Sequence, residues 1–355
     1  MPNSDTHYDY IIVGQGLAGS LLAYRLIQAK QNILVIDNKH EGSSSAVAAG
    51  IINPITGYRL TTHKLFAQQL QTAVDLYTHL EDLFSEKLIE NIQQYRLLKS
   101  EEQVRYWHKR CQHPQFLPYT GEAFQSLSPF IANEFGVVQI HQSQRVYVQT
   151  LLRALKRFFM ASNVYSEAKV DAHHLVVNEK KIQLNDWSAN KVIFCEGYQA
   201  IHNPFWQHLP FKLSKGEILT LELETSIDGL YNWRQWILPK SGLTSNRVLL
   251  GANYEWGDFT ESSSLDVTQA AKETLLMRLE TNTKLKGKTI KQVAGIRPTP
   301  THRYPYIGPH QSSNTIYCFN GFGSKGSVAI PYYSQLLCQH LLEGKPLPSE
   351  VTQFL

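Results

Sequence analysis

Short apolar runs and longer periodic stretches alternate along the N-terminal part of the chain. Tyr10-Ile-Ile-Val13 is an unbroken run of strand length, Ala18, Leu22 and Leu26 recur at helical spacing, and Ile33-Leu-Val-Ile36 is a second run. Two nearly all-apolar strands flanking one helix predict a parallel sheet covered on both faces. After a Gly/Ser/Ala-rich segment from Gly42 to Gly50, a long amphipathic helix is predicted from about Lys64 to Phe84, with Phe66, Leu70, Leu76, Leu80 and Leu83 near one face. The polar, aromatic-rich stretch that follows to about Gln144 has weak periodicity and carries Pro114, Pro118 and Pro129, so it reads as a poor source of sheet core.

From Val146 to Phe159 the spacing of Val148, Leu151, Leu152, Leu155, Phe158 and Phe159 predicts a helix, and Lys191-Val-Ile-Phe-Cys195 predicts another buried strand ending at Gly197. Between Leu213 and Val293 the pattern alternates, as in Ile218–Leu223, Gln235–Leu238 and Arg247–Leu250, which predicts an antiparallel sheet with one wet face. The C-terminal part returns to strand (Thr315–Phe319), glycine-rich turn and helix (about Val328–Leu342), closed by Gly344 and Pro346. The fold class expected is α/β (α+β): a Rossmann-type nucleotide-binding domain built from 1–85, 145–212 and 291–355. A mainly antiparallel β-sheet domain, from 86–144 and 213–290, is inserted into it.

Composition narrows the classes. Of the 355 residues 43% are hydrophobic, 11% aromatic and 18% charged, below the roughly 25% charged of an average soluble protein, which excludes extended disorder. Thirty-four Lys+Arg against 30 Asp+Glu leave +4, too weak to imply nucleic acid alone, yet compatible with an anionic ligand. Cys111, Cys195, Cys318 and Cys338 lie far apart, with no CxxC and no histidine pair at metal spacing. That argues against a disulfide framework and a zinc site and fits a cytoplasmic location. The apolar stretch Tyr10–Ile27 follows Asp5 and Asp9 and contains three glycines, Gln15 and Arg25, so it reads as strand and helix rather than a signal or membrane span.

Gly14-Gln-Gly16-Leu-Ala-Gly19 follows a predicted strand and opens a predicted helix, the context in which this spacing binds a dinucleotide. Gly14 would make the tight turn, Gly16 would admit a pyrophosphate to the backbone, and Gly19 would let helix pack on strand. Asp37, at the end of the second strand, is placed to accept hydrogen bonds from an adenosine ribose and to repel the extra phosphate of NADP. NAD and FAD share this fingerprint, so it does not choose between them.

Four further stretches carry a resemblance: Ser43-Ser-Ser-Ala-Val-Ala-Ala-Gly-Ile-Ile-Asn-Pro54, Gly295-Ile-Arg-Pro298 with Thr299–Pro305 and Tyr306-Ile-Gly308, Asn320-Gly-Phe-Gly-Ser-Lys-Gly326, and Ala329-Ile-Pro331. In this order they resemble the D-amino-acid oxidase and glycine oxidase (DAO-like) family of FAD-dependent oxidoreductases, most weakly over 86–144 and 255–290. The C-terminal turn is also similar to the oxidase domain of the bifunctional wobble-uridine tRNA-modifying enzyme. The resemblance implies noncovalent FAD, since Val293 and Ala294 stand where sarcosine oxidase relatives carry a linking cysteine. It implies cofactor contacts from Gly14, Gly16, Leu17, Ala18 and Gly19, from Asp37 and Asn38, and from Ser44, Ser45, Ala48, Ala49, Gly50 and Ile51 beneath the flavin. Gly197 and the closing turn of Gly321, Phe322, Gly323, Ser324, Lys325 and Gly326 complete that set. The serine hydroxyls suit phosphate or ribityl oxygens, and a helix from about Val328 would turn its positive end to the reduced, anionic flavin.

By the same resemblance Arg297 pairs with a substrate carboxylate, a task its planar fork suits, and Lys325 is a second anion or flavin contact. Positioning and the flavin supply the chemistry, so no acid/base dyad is required for hydride transfer from a neutral amine to flavin N5. Tyr58, Tyr254, Trp236, His63 and Asn53 are candidate pocket residues, while the tyrosine pair that grips the carboxylate in D-amino-acid oxidase has no clear counterpart. The expected reaction is oxidation of the C–N bond of a small amino acid or secondary amine, with the electron acceptor open between oxygen and a quinone. The alternative is removal of a carboxymethyl group from a modified wobble uridine in tRNA, suggested by the closing turn and by basic clusters such as Lys284, Lys286, Lys288 and Lys291.

Overall fold

In the computed structural model, residues 7–39, 42–178, 181–259 and 265–355 are described. The apolar run His7–Val13 is the centre of an eight-stranded sheet, parallel to Ile33–Asp37 on one side and to Trp187–Phe194 on the other. Tyr165–Glu167 extends it beyond Ile33–Asp37, and Ser313–Asn320 adds in parallel beside Trp187–Phe194. The inner part of the run, Tyr10–Val13, is apolar throughout because both faces are covered there. Ile12, Ile33 and Val35 pack with the helices Leu17–Gln28, Val148–Ala161 and Gly326–Glu343, while Ile11, Leu34 and Ile36 pack with Trp206 and Leu209. Full burial of each such side chain contributes about 1.5–3 kcal/mol.

A second, nine-stranded sheet is antiparallel except where Gln94–Leu97 runs parallel to Leu230–Asn232. Its longest member, Phe211–Ile227, pairs along one edge with Gly287–Pro300 and along the other with Ser245–Gly251. Gly287–Pro300 runs across the expected boundary at 290/291. A small sheet of Ile51–Ile52, Ile89–Asn91 and Gln144–Val146 lies apart from both.

Several expectations are corrected. The stretch to Gln144 does supply sheet core: Gln94–Leu97 and Ile131–Ile140 are paired strands that bury Leu97, Val137, Val138 and Ile140. Its polar residues mislead because Gln94 and Arg96 are themselves buried. Val146 belongs to a strand, and the helix begins at Val148. The face of Ile218–Leu223 expected to be wet is partly dry, since Thr220 is buried on it, as is Ser214 farther along the same face, while Glu222 keeps some exposure. On the opposite face, beside Leu219 and Leu221, Glu217 is buried as well: its carboxylate accepts from Gln292 Nε2 at 2.6 Å and from the Thr268 hydroxyl at 3.0 Å. Finally, Gln269–Asn282 is a helix inside the region read as alternating strands; it buries Ala271, Leu275 and Leu279 and is capped by Thr268. Among the described residues, no helix is long and apolar enough to cross a membrane.

Candidate active site

A cavity of about 1230 Å³ opens at the carboxyl ends of His7–Val13 and Trp187–Phe194, where strand order reverses direction. Such a switch point is where open α/β sheets bind their ligands, and the volume exceeds that of a typical single-ligand pocket. The glycine turn forms one end. Gly14 takes φ +104°, and a Cβ there would stand 2.6 Å from the Cys195 carbonyl oxygen. A Cβ on Gly19 would stand 1.9 Å from the Gly14 carbonyl oxygen, so the first helix crosses the strand end only because both lack side chains. Asp37 accepts the Gln15 N–H at 2.8 Å and the Lys39 N–H at 3.0 Å, leaving roughly two of its four lone-pair sites for a ligand hydroxyl.

The remaining walls come from segments distant in sequence. Ser45 Oγ accepts the Leu17 N–H at 3.2 Å, and Gln149 Nε2 pins the serine-rich segment by donating to the carbonyls of Ala46 and Ala48 at 3.1 and 2.8 Å. Ser43 bridges to Ile296. From the C-terminal side, Asn320 Nδ2 donates to the Gly197 carbonyl at 2.8 Å and the Gly323 N–H to the Pro298 carbonyl at 3.3 Å. Burial pushes the Glu196 carboxyl up to about 7, although Asn203 Nδ2 donates to it at 2.8 Å and opposes the shift. Desolvation and then Arg303 hold Lys325 below the ordinary lysine range, and burial with the cations Lys325, Lys64 and Arg303 holds His63 below the usual histidine value.

Arg297 lies on the floor, on Gly287–Pro300 and opposite Ser214 in the register. Its guanidinium rests on Gly216, where a Cβ would stand 2.2 Å from Nη2, and over the Tyr254 ring at 4.8 Å from the centroid. Nη1 is buried without a hydrogen-bond partner, and no ion pair to Arg297 is formed among the described residues. A desolvated, open guanidinium fork in a cavity is arranged to take a carboxylate.

Of the predicted residues, Gly14, Gly16, Leu17, Ala18, Asp37, Asn38, Ser44, Ser45, Ala48, Ala49, Gly50, Ile51 and Gly197 line this one cavity, as do Phe322, Gly323, Ser324, Lys325, Gly326 and Arg297. Gly19 and Gly321 stand behind the lining: Gly19 packs on Gly14, and Gly321 packs against Pro300 and Tyr306. Tyr58, Tyr254, Trp236, His63 and Asn53 also line it. Sequence reasoning did not find Glu196, Arg96, Lys99, Arg234 or Arg278. Eight Lys/Arg side chains line the cavity (Lys39, Arg96, Lys99, Lys156, Arg234, Arg278, Arg297, Lys325) against two carboxylates, Asp37 and Glu196. No local signal marks the missed cations, because strand pairing and a distant helix bring them there.

Residues 9–340 match the DAO family, described as FAD dependent oxidoreductase. The chain is 24% identical to the uncharacterized oxidoreductase YurR of Bacillus subtilis (strain 168), covering 97% of each chain. It is 23% identical to a glycine oxidase of the same organism, covering 93% of this chain and 92% of the relative. The crystal structure of glycine oxidase from Geobacillus kaustophilus superposes with a TM-score of 0.79 at 19% identity, covering 98% of each chain.

Proposed function

This chain belongs to the DAO family of FAD-dependent oxidoreductases, and from that premise we propose that it oxidises the C–N bond of a small amino acid or secondary amine. Bound in the cavity, FAD would supply the two-electron acceptor for oxidation of the substrate C–N bond to an imine, which water would then hydrolyse. The chain's own residues position and shield. Asp37 takes the ribose hydroxyls, the Gly14–Gly16 turn admits the diphosphate to the backbone, and Ser43 to Ala49 underlie the ring. Arg297 holds the substrate carboxylate in two prongs, with Nη1 supplying a donor that the fold leaves unpaired. His63, below its usual range, is a neutral imidazole at pH 7, so it adds no positive charge beside a neutral amine. The noncovalent cofactor fits a floor that has Val293 and Ala294 just before the arginine.

The observation that carries the reading is the unpaired guanidinium of Arg297 lying in the cavity that the glycine turn opens into. The relatives named glycine oxidase support the substrate class. Anaerobic mixing of the yellow protein with glycine, sarcosine, proline and a set of D-amino acids should bleach the flavin with at least one of them; no bleaching by any member would overturn the assignment. Arg297→Leu should weaken binding of a carboxylate inhibitor by roughly 100-fold, the larger effect seen for hydrogen bonds to charged groups.

A further inference from the structure

A second group of cations lines the same cavity, away from Arg297. Arg96 is 4% exposed; its Nη1 donates to Asn232 Oδ1 at 2.9 Å, its Nη2 to the Gly57 carbonyl at 3.3 Å, and its Nε is buried with no partner. Lys99 Nζ donates to Asn282 Oδ1, and both burial and the nearby Arg96 lower its pKa to about 8. Neither cation forms an ion pair among the described residues; amide and carbonyl oxygens are their partners. Trp233, beside Asn232 in sequence, is 3% exposed and leaves its buried Nε1–H unpaired. A buried guanidinium and a half-buried ammonium near it, each held only by neutral oxygens, are costly unless an anion completes them.

The sheet register fixes how far this group lies from Arg297. Arg96 is opposite Asn232, Asn232 opposite Trp236, Trp236 opposite Gly251, Gly251 opposite Ile218, and Ile218 opposite Val293 on the strand that carries Arg297. Paired residues share a face, and so do alternate positions, so Arg96 and Arg297 belong to one face, about five strand spacings (roughly 24 Å) apart across the sheet and four residues (roughly 13 Å) apart along it, or roughly 27 Å on a flat sheet. Both line the cavity, and their side chains and the curl of the sheet shorten the gap between charges.

We propose that Arg96 and Lys99, with Trp233 and Arg278, form a second anion site for the far end of an elongated substrate whose other end carries the carboxylate held by Arg297. The substrate class is thus an amino acid or secondary amine with a distal carboxylate or phosphate. The proposal rests on the amine-oxidation reading for the near end only. Its test uses the FAD-loaded protein and non-oxidisable acids, followed by tryptophan fluorescence and by the flavin absorption band: α,ω-diacids from succinate to dodecanedioate, each beside the monocarboxylate of equal length, and an ω-phosphonate series. A long diacid or phosphonate should bind at least about tenfold more tightly than its monocarboxylate, succinate should show no such gain, and the tighter series identifies the headgroup. Lys99→Gln and Arg278→Gln should bring that ratio to within about twofold of one; Arg96→Gln is left aside because the buried residue ties two strands and a loop. A ratio near one at every length, or one unchanged in both variants, overturns the second site. Failure of every amine to bleach the flavin sinks the oxidation reading instead and leaves this binding ratio unaffected.

Discussion

Glu196 shows what one side chain does at the nucleotide end of the cavity. Its carboxyl, pushed up to about 7 by burial, titrates above the usual carboxylate range. The folded pKa exceeds the unfolded one, so the folded state is penalised progressively as pH rises from about 4.5 through 7 and by a constant amount beyond. At 1.36 kcal/mol per pKa unit the penalty reaches roughly 3 kcal/mol. Thermal melts of the FAD-free protein should therefore fall between about pH 4.5 and 7 and level off above that, and Glu196→Gln should flatten that slope. FAD affinity should weaken as pH rises through about 7 in the wild type only, because an ionised Glu196 repels the diphosphate; a wild-type affinity independent of pH would refute this role. Residues of this kind differ in legibility. Arg297 was readable because its neighbours Gly295, Ile296 and Pro298 travel with it, whereas Glu196 sits in a stretch, Cys195-Glu-Gly197, whose only signal was the glycine.

At the scale of elements, Arg297 depends on the strand beside it. Gly216 adopts an ordinary strand conformation, so alanine is allowed there by the backbone, but its Cβ would fall 2.2 Å from Arg297 Nη2. The far end of an arginine yields easily, so Gly216→Ala should leave the melting temperature nearly unchanged while raising KM about tenfold or more, as the fork leaves its place on Tyr254. A large loss of stability with unchanged KM would contradict it. Gly19→Ala differs, because it meets the backbone carbonyl of Gly14 at 1.9 Å; it should cost about 1–3 kcal/mol and lower FAD affinity, read by melting and by flavin release. The elements themselves were legible where one signal is local. His7–Val13, Leu17–Gln28 and Ile33–Asp37 announce themselves by period and glycine spacing. The helix Gln269–Asn282 did not, since Leu276 and Met277 are apolar yet lie off its buried line of Ala271, Leu275 and Leu279. Phe211–Ile227 hid its buried polar positions because Glu217 finds Thr268 and Gln292 only after folding.

Across the whole molecule, the parallel sheet and the cavity are closed only when the last segment arrives: Ser313–Asn320 adds to Trp187–Phe194, and Gly326–Glu343 packs on Leu17–Gln28 and Phe66–Phe84. FAD bound at 100 times its dissociation constant should therefore stabilise the entire chain by about 2.7 kcal/mol, seen as one concerted upward shift of the melting transition. Separate transitions with only one of them shifted would argue against such coupling. The C-terminal strand and helix were legible from the return of their periodicity, but the long reach of the floor, from Arg96 to Arg297, exists only in the pairing of strands. The uneven charge of the cavity has one more consequence. Both carboxylates stand where the parallel strands end, and Arg96, Arg234, Arg278 and Arg297 all project from the other sheet and its helix. With Asp37 taking the ribose as proposed, a dinucleotide arriving back to front would offer its sugar hydroxyls to guanidinium groups and leave Asp37 facing an electron-rich ring, so loading should have one direction, set before any chemistry begins.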